Sequence, residues 1–240
     1  YKLYVFANTF YLNDSDRRTI KSKLKKNNAA ALFMYASGVI NPDRTEMFSE
    51  KNMTDLIGID IKRSDGIFSG MFKFYSADKG FIASGLDKGE IYGDFKRKMW
   101  ANCSSYMGRI KTSRVNLCPC FYAEDSSAEN SAYFLDSGKA ALSIKALDGF
   151  TSVYCGSKYL SADVVRRIAE FAGCHIYCRT NDVLYANKNY ITFHAASSGR
   201  KTIYLPHESS VTECYSRKSL GKKVKEFSFN ILKGETLMFK

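Results

Sequence analysis

The sequence predicts an α/β protein built on a doubly wound, mostly parallel sheet, with an antiparallel β tail at its C-terminal end. Three observations carry this expectation. Strand–helix–strand patterns occur twice, once in residues 1–40 and once in residues 150–178. Neither can bury its apolar strand faces alone, so one sheet is expected to need both regions to close. After Pro206 the text changes to short alternating runs separated by turn residues, which is the signature of antiparallel strands. Residues 1–205 are therefore expected to form the α/β domain, and 206–240 a short extension packed on it.

In chain order, Leu3 to Ala7 is an apolar strand, and a helix is expected to begin near Asn13 or Asp14. Asp14 and Asp16 stand at its N-terminal end and Lys21, Lys23, Lys25 and Lys26 toward its C-terminal end, the arrangement the helix dipole favours. Ile20 and Leu24 mark its buried line. Ala30 to Tyr35 is the next strand, running into Ala36-Ser37-Gly38. Helical turns are expected over Pro42 to Gly58, with Met47, Phe48, Met53, Leu56 and Ile57 as apolar contacts, followed by strands at Ile59 to Lys62 and Gly70 to Tyr75. Residues 76–98 mix Gly, Lys and Asp with short apolar runs and predict no element. Arg114 to Phe121 is a strand candidate in which Pro119 argues for an edge or a bulge. Glu129 to Leu135 is expected as a short helix, and Ala141 to Ala146 as a strand that turns back at Gly149.

The second pattern is the most ordered. Phe150 to Cys155 is a strand, and Ser161 is the expected N-cap of a helix with Asp163 in its first turn and Gly173 at its left-handed C-terminal position. Val164, Val165, Ile168 and Ala172 share its apolar face. Cys174 to Cys178 is expected as the following strand, paired in parallel by a right-handed crossover. Val183 to Ala186 and Tyr190 to Ala195, joined by Asn187-Lys188-Asn189, predict a hairpin at the antiparallel edge of that sheet. The tail is expected as Val211 to Tyr215, Val224 to Asn230 and Glu235 to Phe239, with turns at Arg217 to Gly221 and Lys233-Gly234.

A chain of 240 residues, 45% apolar and 14% aromatic, can bury a sizeable core without staples. No apolar run is long enough to cross a membrane as a helix, and no signal peptide is legible. Tyr1 stands almost inside the first strand and no initiator Met precedes it, so the sequence is expected to be a piece of a longer protein. The net charge of +12 would attract polyanions. Its lysines and arginines are spread over Arg17 to Lys26, Lys96 to Lys98 and Lys222 to Lys225 with no nucleic-acid motif, which reads as a solvated surface and argues against a nucleic-acid partner.

Seven cysteines, at 103, 118, 120, 155, 174, 178 and 214, are an odd number. Cys118-Pro-Cys120 lacks the spacing of a redox pair, and Cys174 and Cys178 belong to no zinc-type quartet. Free structural thiols are expected, which favours a reducing compartment or an export route that tolerates them. In doubly wound sheets ligands sit beyond the carboxyl ends of the strands, which makes Ser37 the one residue where a nucleophile could stand. No Gly-x-Ser-x-Gly text surrounds it, and no histidine precedes His175. Cys103, Cys118 and Cys120 are in no nucleophile-turn text, no His-x-Glu occurs, and His207-Glu208 lies past the core. Glu124-Asp125 is expected to be a solvated turn pair. No catalytic, cofactor-binding or metal-ligating residue is assigned, and no cofactor.

The runs AGCHIY, NDVLYAN, ITFHAASSGRKTIYLP and SFNILKGETLMF, together with YKLYVFANTFYLNDSDRRTIKSKL and ALFMYASGVI near the start, resemble the C-terminal part of multidomain proteins related to the β-galactosidases of glycoside hydrolase family 42. The resemblance implies a flavodoxin-like, class I glutamine-amidotransferase-like domain of the β-galactosidase trimerisation type, behind a catalytic barrel whose paired carboxylates are not in this chain. It implies a non-catalytic role in carbohydrate metabolism: assembling subunits, as a homo-oligomer or with other domains of the parent chain, or shaping the rim of a catalytic site carried elsewhere. The alternative is a carbohydrate- or polyanion-binding module in which Tyr4, Tyr11, Tyr35, Tyr75, Tyr92, Trp100 and Tyr106 stack on sugar rings. Aromatics at alternating strand positions usually fill a core, which favours the first reading.

Overall fold

In the computed structural model, which describes residues 1–75, 80–93 and 116–240, the N-terminal elements form where their local chemistry directs. Strand β1 (Leu3–Phe6) leads to helix α1 (Asp14–Asn27). The Asn13 side chain accepts from the Asp16 amide while the Asp16 carboxylate accepts from the Asn13 amide, a reciprocal cap, and Asn28 ends the helix in a left-handed conformation. Strand β2 (Ala30–Met34) follows and is almost wholly buried. Ser49 caps α2 (Glu50–Ile57), and Gly58 closes it at φ 77°.

Next come β3 (Ile61–Ser64), β4 (Phe68–Ser69), β5 (Phe72–Lys73) and the single turn α3 (Phe81–Ser84), then β6 (Asn116–Leu117), β7 (Cys120–Ala123), β8 (Glu129–Phe134), β9 (Ala140–Leu147), β10 (Phe150–Cys155) and α4 (Ala162–Phe171). Asp148-Gly149 forms the two-residue turn between β9 and β10, with Leu147 opposite Phe150, and Gly149 takes φ 79°, a left-handed conformation open to glycine at no steric cost. The last strands are β11 (Val183–Ala186), β12 (Ile191–His194), β13 (Gly199–Thr212), β14 (Ser219–Ile231) and β15 (Thr236–Phe239). The chain forms two compact units, Tyr1–Cys174 and His175–Lys240.

The first unit is a mixed α/β structure. Its sheet runs β1-β2-β10-β9-β7-β3, with β8 also on β9 and β5 on β8. At its core β1, β2 and β10 are parallel, so the N-terminal pattern and the later strand do share one sheet. The remaining pairings in it are antiparallel. Helices α1 and α4 supply Leu24, Val164 and Ile168 to the same core as Leu32, Phe33 and Val153.

Several expectations are corrected. Cys174 to Cys178 is not a strand. The reason lies in β10, whose two edges are already taken by β2 and β9, so no ladder remains beside it for a parallel successor. The helix expected over Glu129 to Leu135 is instead the strand Glu129–Phe134: so short a segment carries too little helical preference to resist pairing with β9, which buries Ser131, Ala132 and Phe134. Arg114 and Val115 lie outside the described residues, and the remainder of the candidate strand is broken at Cys118-Pro119 into β6 and β7.

In the second unit the β11–β12 hairpin forms, but it pairs with β15 in a three-stranded sheet of its own, not at the edge of the parallel sheet. The expected division at 205/206 falls inside β13, which pairs with β14 as a long antiparallel ribbon. Phe193, Ile203, Val211, Phe227, Ile231 and Phe239 form this unit's core.

Because Ile168 is fully buried in the core that contains β2 and β10, Ile168→Ala is expected to destabilise the first unit by about 2–5 kcal/mol. Native-state hydrogen exchange should show protection falling together at Ala31 to Phe33 and Val153 to Cys155. Loss confined to β10 would mean that the two strand–helix–strand regions open separately.

Candidate functional site

The carboxyl ends of β1, β2 and β10 converge where an α/β sheet would hold a ligand. The turn after β2 is tight: Tyr35 takes φ 51° and Gly38 φ 71°, and the Tyr35 amide donates to the Cys155 carbonyl at 2.7 Å. A left-handed tyrosine is uncommon, and its side chain shows what holds it. Its hydroxyl donates to the Pro119 carbonyl at 2.7 Å. Its ring meets Phe10 and Phe121 edge-on, and the Lys158 ammonium lies 4.6 Å from the ring centre. The fully buried Tyr154 donates its hydroxyl to the Tyr35 carbonyl at 3.0 Å. Burial pushes the Tyr35 hydroxyl up to about 12 and Tyr154 well above its ordinary value.

Ser37 stands at the expected strand end but has no exposed surface. Its hydroxyl lies 2.8 Å from the Met34 carbonyl and 3.0 Å from the Phe6 carbonyl, and it accepts from Thr9 Oγ1 at 3.3 Å. That geometry ties the end of β2 to β1 and to the loop after it. The three histidines all follow Cys174 in the chain. His175 contacts the Tyr204 carbonyl at 2.9 Å, His194 contacts Thr236 Oγ1 at 2.8 Å, and His207 is exposed.

Sequence reasoning missed Arg17. It is only 3% exposed, and its guanidinium spans three backbone carbonyls: Nε donates to Leu12 at 3.0 Å, Nη1 to Asn52 at 2.6 Å and Nη2 to Gly38. Burial pushes its pKa down, and Asp55 and Asp14 pull it back up. Gly38 is required here, since a Cβ would meet Leu56 at 2.6 Å and Arg17 at 3.3 Å in a left-handed backbone. Asn52 extends the tie by donating to the Met47 carbonyl at 3.0 Å. The signal was present in the spacing, because Arg17 continues the buried line of Ile20 and Leu24.

The loops so fixed carry an apolar patch. Tyr11 is 60% exposed, Met47 50%, Phe48 44% and Phe10 37%. Tyr11 and Phe48 both bridge to Ile40, and Arg63 stacks 5.7 Å from the Phe48 ring centre.

Of the other candidates, Asp125 is buried rather than solvated. Burial alone would raise its pKa, but hydrogen bonds from Lys145 (2.7 Å), the Ser127 hydroxyl and amide, and the Asp60 amide hold it well below the carboxylate range. Glu124 is exposed and pairs with Lys139 at 3.6 Å. The six described cysteines are free, and burial pushes the Cys120 and Cys155 thiols up to about 11 and about 12. Among the described residues no cluster of three or more His, Cys, Asp or Glu is arranged to hold a metal, and no helix is long and apolar enough to cross a membrane. Tyr35 and Tyr92 are core residues, Tyr11 and Tyr75 are exposed, and Tyr4 is half-buried. Cys103, Trp100, Tyr106 and Lys96 to Lys98 lie outside the described residues.

No family model matches the chain, and no curated protein matches it. Solved structures do. The whole chain superposes on 33% of the β-galactosidase of Bacillus circulans sp. alkalophilus with TM-score 0.63 and 12% identity. It covers 99% of itself and 32% of the cold-adapted β-galactosidase of Rahnella sp. R3, with TM-score 0.58 and 13% identity. A GH42 β-galactosidase of G. stearothermophilus is matched over 31% of its length, with TM-score 0.59 and 10% identity. In fold, this chain is like one third of a β-galactosidase. The family whose packing text the sequence resembles and the family whose structures it matches are the same.

Proposed function

We propose that the chain is a non-catalytic, amidotransferase-like part of a glycoside-hydrolase-related protein, and that it assembles subunits or neighbouring domains around a catalytic site carried elsewhere. The observation that supports this most is coverage: the whole chain is accounted for by a third of each matched β-galactosidase. In this reading no residue here has a catalytic, cofactor-binding or metal-binding role. The carboxyl ends of the parallel strands are filled by Tyr35, Ser37 and Tyr154, each committed to the chain's own carbonyls. The patch of Phe10, Tyr11, Met47 and Phe48 serves as the assembly surface, since aromatic and Met side chains on a pre-ordered backbone lose little entropy when covered.

Sedimentation velocity over a range of concentrations is expected to show self-association that Tyr11→Ser with Phe48→Ser abolishes without unfolding the protein. A monomer throughout, or assembly indifferent to both substitutions, removes the assembly role. Hydrolysis of an aryl β-galactoside that disappears with Ser37→Ala removes the non-catalytic one.

A further inference from the structure

The second unit holds a surface cleft of about 140 Å³, and its shape follows from a defect in the β13–β14 ribbon. Tyr204 pairs with Glu226, and the next pair is Ser209 with Val224, so residues 205–208 stand opposite Lys225 alone. Pro206 has no amide to donate and is tolerated in a strand at such a bulge. Leu205, Pro206 and His207 of the bulge, with Ser209 after it, line the cleft.

The floor is apolar: Ile191, Val211, Phe227 and Phe239 are all buried there. Tyr177 and Tyr190 line the same space. Lys188, His207 and Lys240 also line it, and no carboxylate side chain among the described residues does. Two features hold the lysines in place. Asn187 Oδ1 accepts from the Asn189 and Tyr190 amides at 2.9 and 2.8 Å, which shapes the turn carrying Lys188. The Lys240 backbone makes both hydrogen bonds with Thr212 at 3.0 Å. Among the described residues the side chains of Lys188, His207 and Lys240 have no hydrogen-bond or ion-pair partner.

An apolar floor with a few convergent polar groups is the general form of a small-ligand site. Two tyrosines favour a ring with an apolar face over a flexible chain, and two ammonium groups without ion-pair partners, in a cleft lined by no carboxylate side chain, favour an anion. We propose that this cleft binds a small ring compound carrying one anionic group, of the size of a single acidic monosaccharide. The ring lies over the apolar floor beside the tyrosines, and the anionic group faces Lys188 and Lys240. This goes beyond the assembly role and does not depend on it, because none of these residues belongs to the patch on the first unit.

The test uses the full chain, ¹⁵N-labelled, titrated with glucuronate, galactose and sodium sulfate as separate probes. Glucuronate is expected to shift the amides of Lys188, Tyr190, His207 and Val211 saturably, with galactose and sulfate each at least about tenfold weaker, the discrimination that about 1.4 kcal/mol provides. Lys188→Met, an exposed turn position, should weaken glucuronate about tenfold and leave the spectrum elsewhere unchanged. Absence of glucuronate shifts at the cleft overturns the proposal. So does sulfate acting as strongly as glucuronate, which means general anion attraction, or galactose doing so, which means that the cations select nothing. Indifference to Lys188→Met also overturns it.

Discussion

Arg17→Met is expected to destabilise the first unit by about 3–5 kcal/mol and to loosen the loops that carry the aromatic patch. The guanidinium is nearly as buried as Leu24 on the same helix, yet its partners are the carbonyls of Leu12, Asn52 and Gly38. Methionine can fill much of the volume but leaves those acceptors in a dry site. A buried acceptor left unpaired costs about 1–3 kcal/mol, and three of them together exceed what the burial of an extra apolar side chain returns. Arg17→Lys keeps the charge but satisfies fewer carbonyls from a single ammonium, so an intermediate loss is expected. Urea denaturation measures the loss. Hydrogen exchange at Gly38, Ile40 and Ser49, whose amides donate to Thr9, Phe10 and Val39, shows whether the loops open first. A loss below about 1 kcal/mol with those amides still protected would mean that the loops are held by other contacts.

Arg17 also shows which parts of this molecule were legible in the sequence. Local chemistry was legible: the start of α1 near Asn13, its acidic first turn and basic last turn, the left-handed Gly173 and the turn at Gly149 all depend on residues a few positions apart. The sharing of one sheet by β2 and β10 was legible because each strand alone leaves apolar faces uncovered. The spacing of 17, 20 and 24 marked Arg17 as buried, but an arginine reads by type as surface, and its carbonyl partners lie in loops that no periodicity describes.

The Cys174 to Cys178 segment failed for a related reason. Its apolar text suits a strand, but whether a ladder is free depends on β9, which precedes it in the chain and already occupies the edge of β10. The cleft and its bulge depend on the register of β13 with β14, and a strand's register is set by its partner and by its turn. Asp125 looked like half of a solvated pair because Lys145 and the Asp60 amide reach it from distant strands and loops.

The second large effect is expected in the other unit, at Lys201. Its ammonium lies 2.8 Å from Asp182, with the two side chains only 4% and 1% exposed, and it also donates to Ser197 Oγ at 2.9 Å. Asp182 accepts further from the Thr180 hydroxyl and from the Ala196 amide at 2.8 Å. Burial pushes the carboxyl up, and these bonds together with the nearby ammonium bring it below its ordinary value. Lys201→Met removes the ammonium and leaves a buried carboxylate, a change that costs about 3–5 kcal/mol at neutral pH.

The sign of the pH dependence separates this account from a simple packing defect. In the natural chain the folded Asp182 titrates below its unfolded value of about 3.9, so the pair's contribution is present above that pH and is lost as pH falls through the folded value. In Lys201→Met burial acts without its largest offset, the folded carboxyl rises above its unfolded value, and the folded state takes up the proton first. The penalty of the substitution should therefore shrink as pH drops from 7 toward 4. Lys201→Met combined with Asp182→Leu should recover most of the neutral-pH loss, because a buried ion pair replaced by apolar groups of similar volume is often close to neutral. Exchange at Phe193, Ile203 and Phe227, which form the core of this unit, reports the effect without interference from the first unit. A penalty that stays constant with pH, or a double variant no more stable than the single one, would mean that Lys201 acts through its methylene chain and not through its charge.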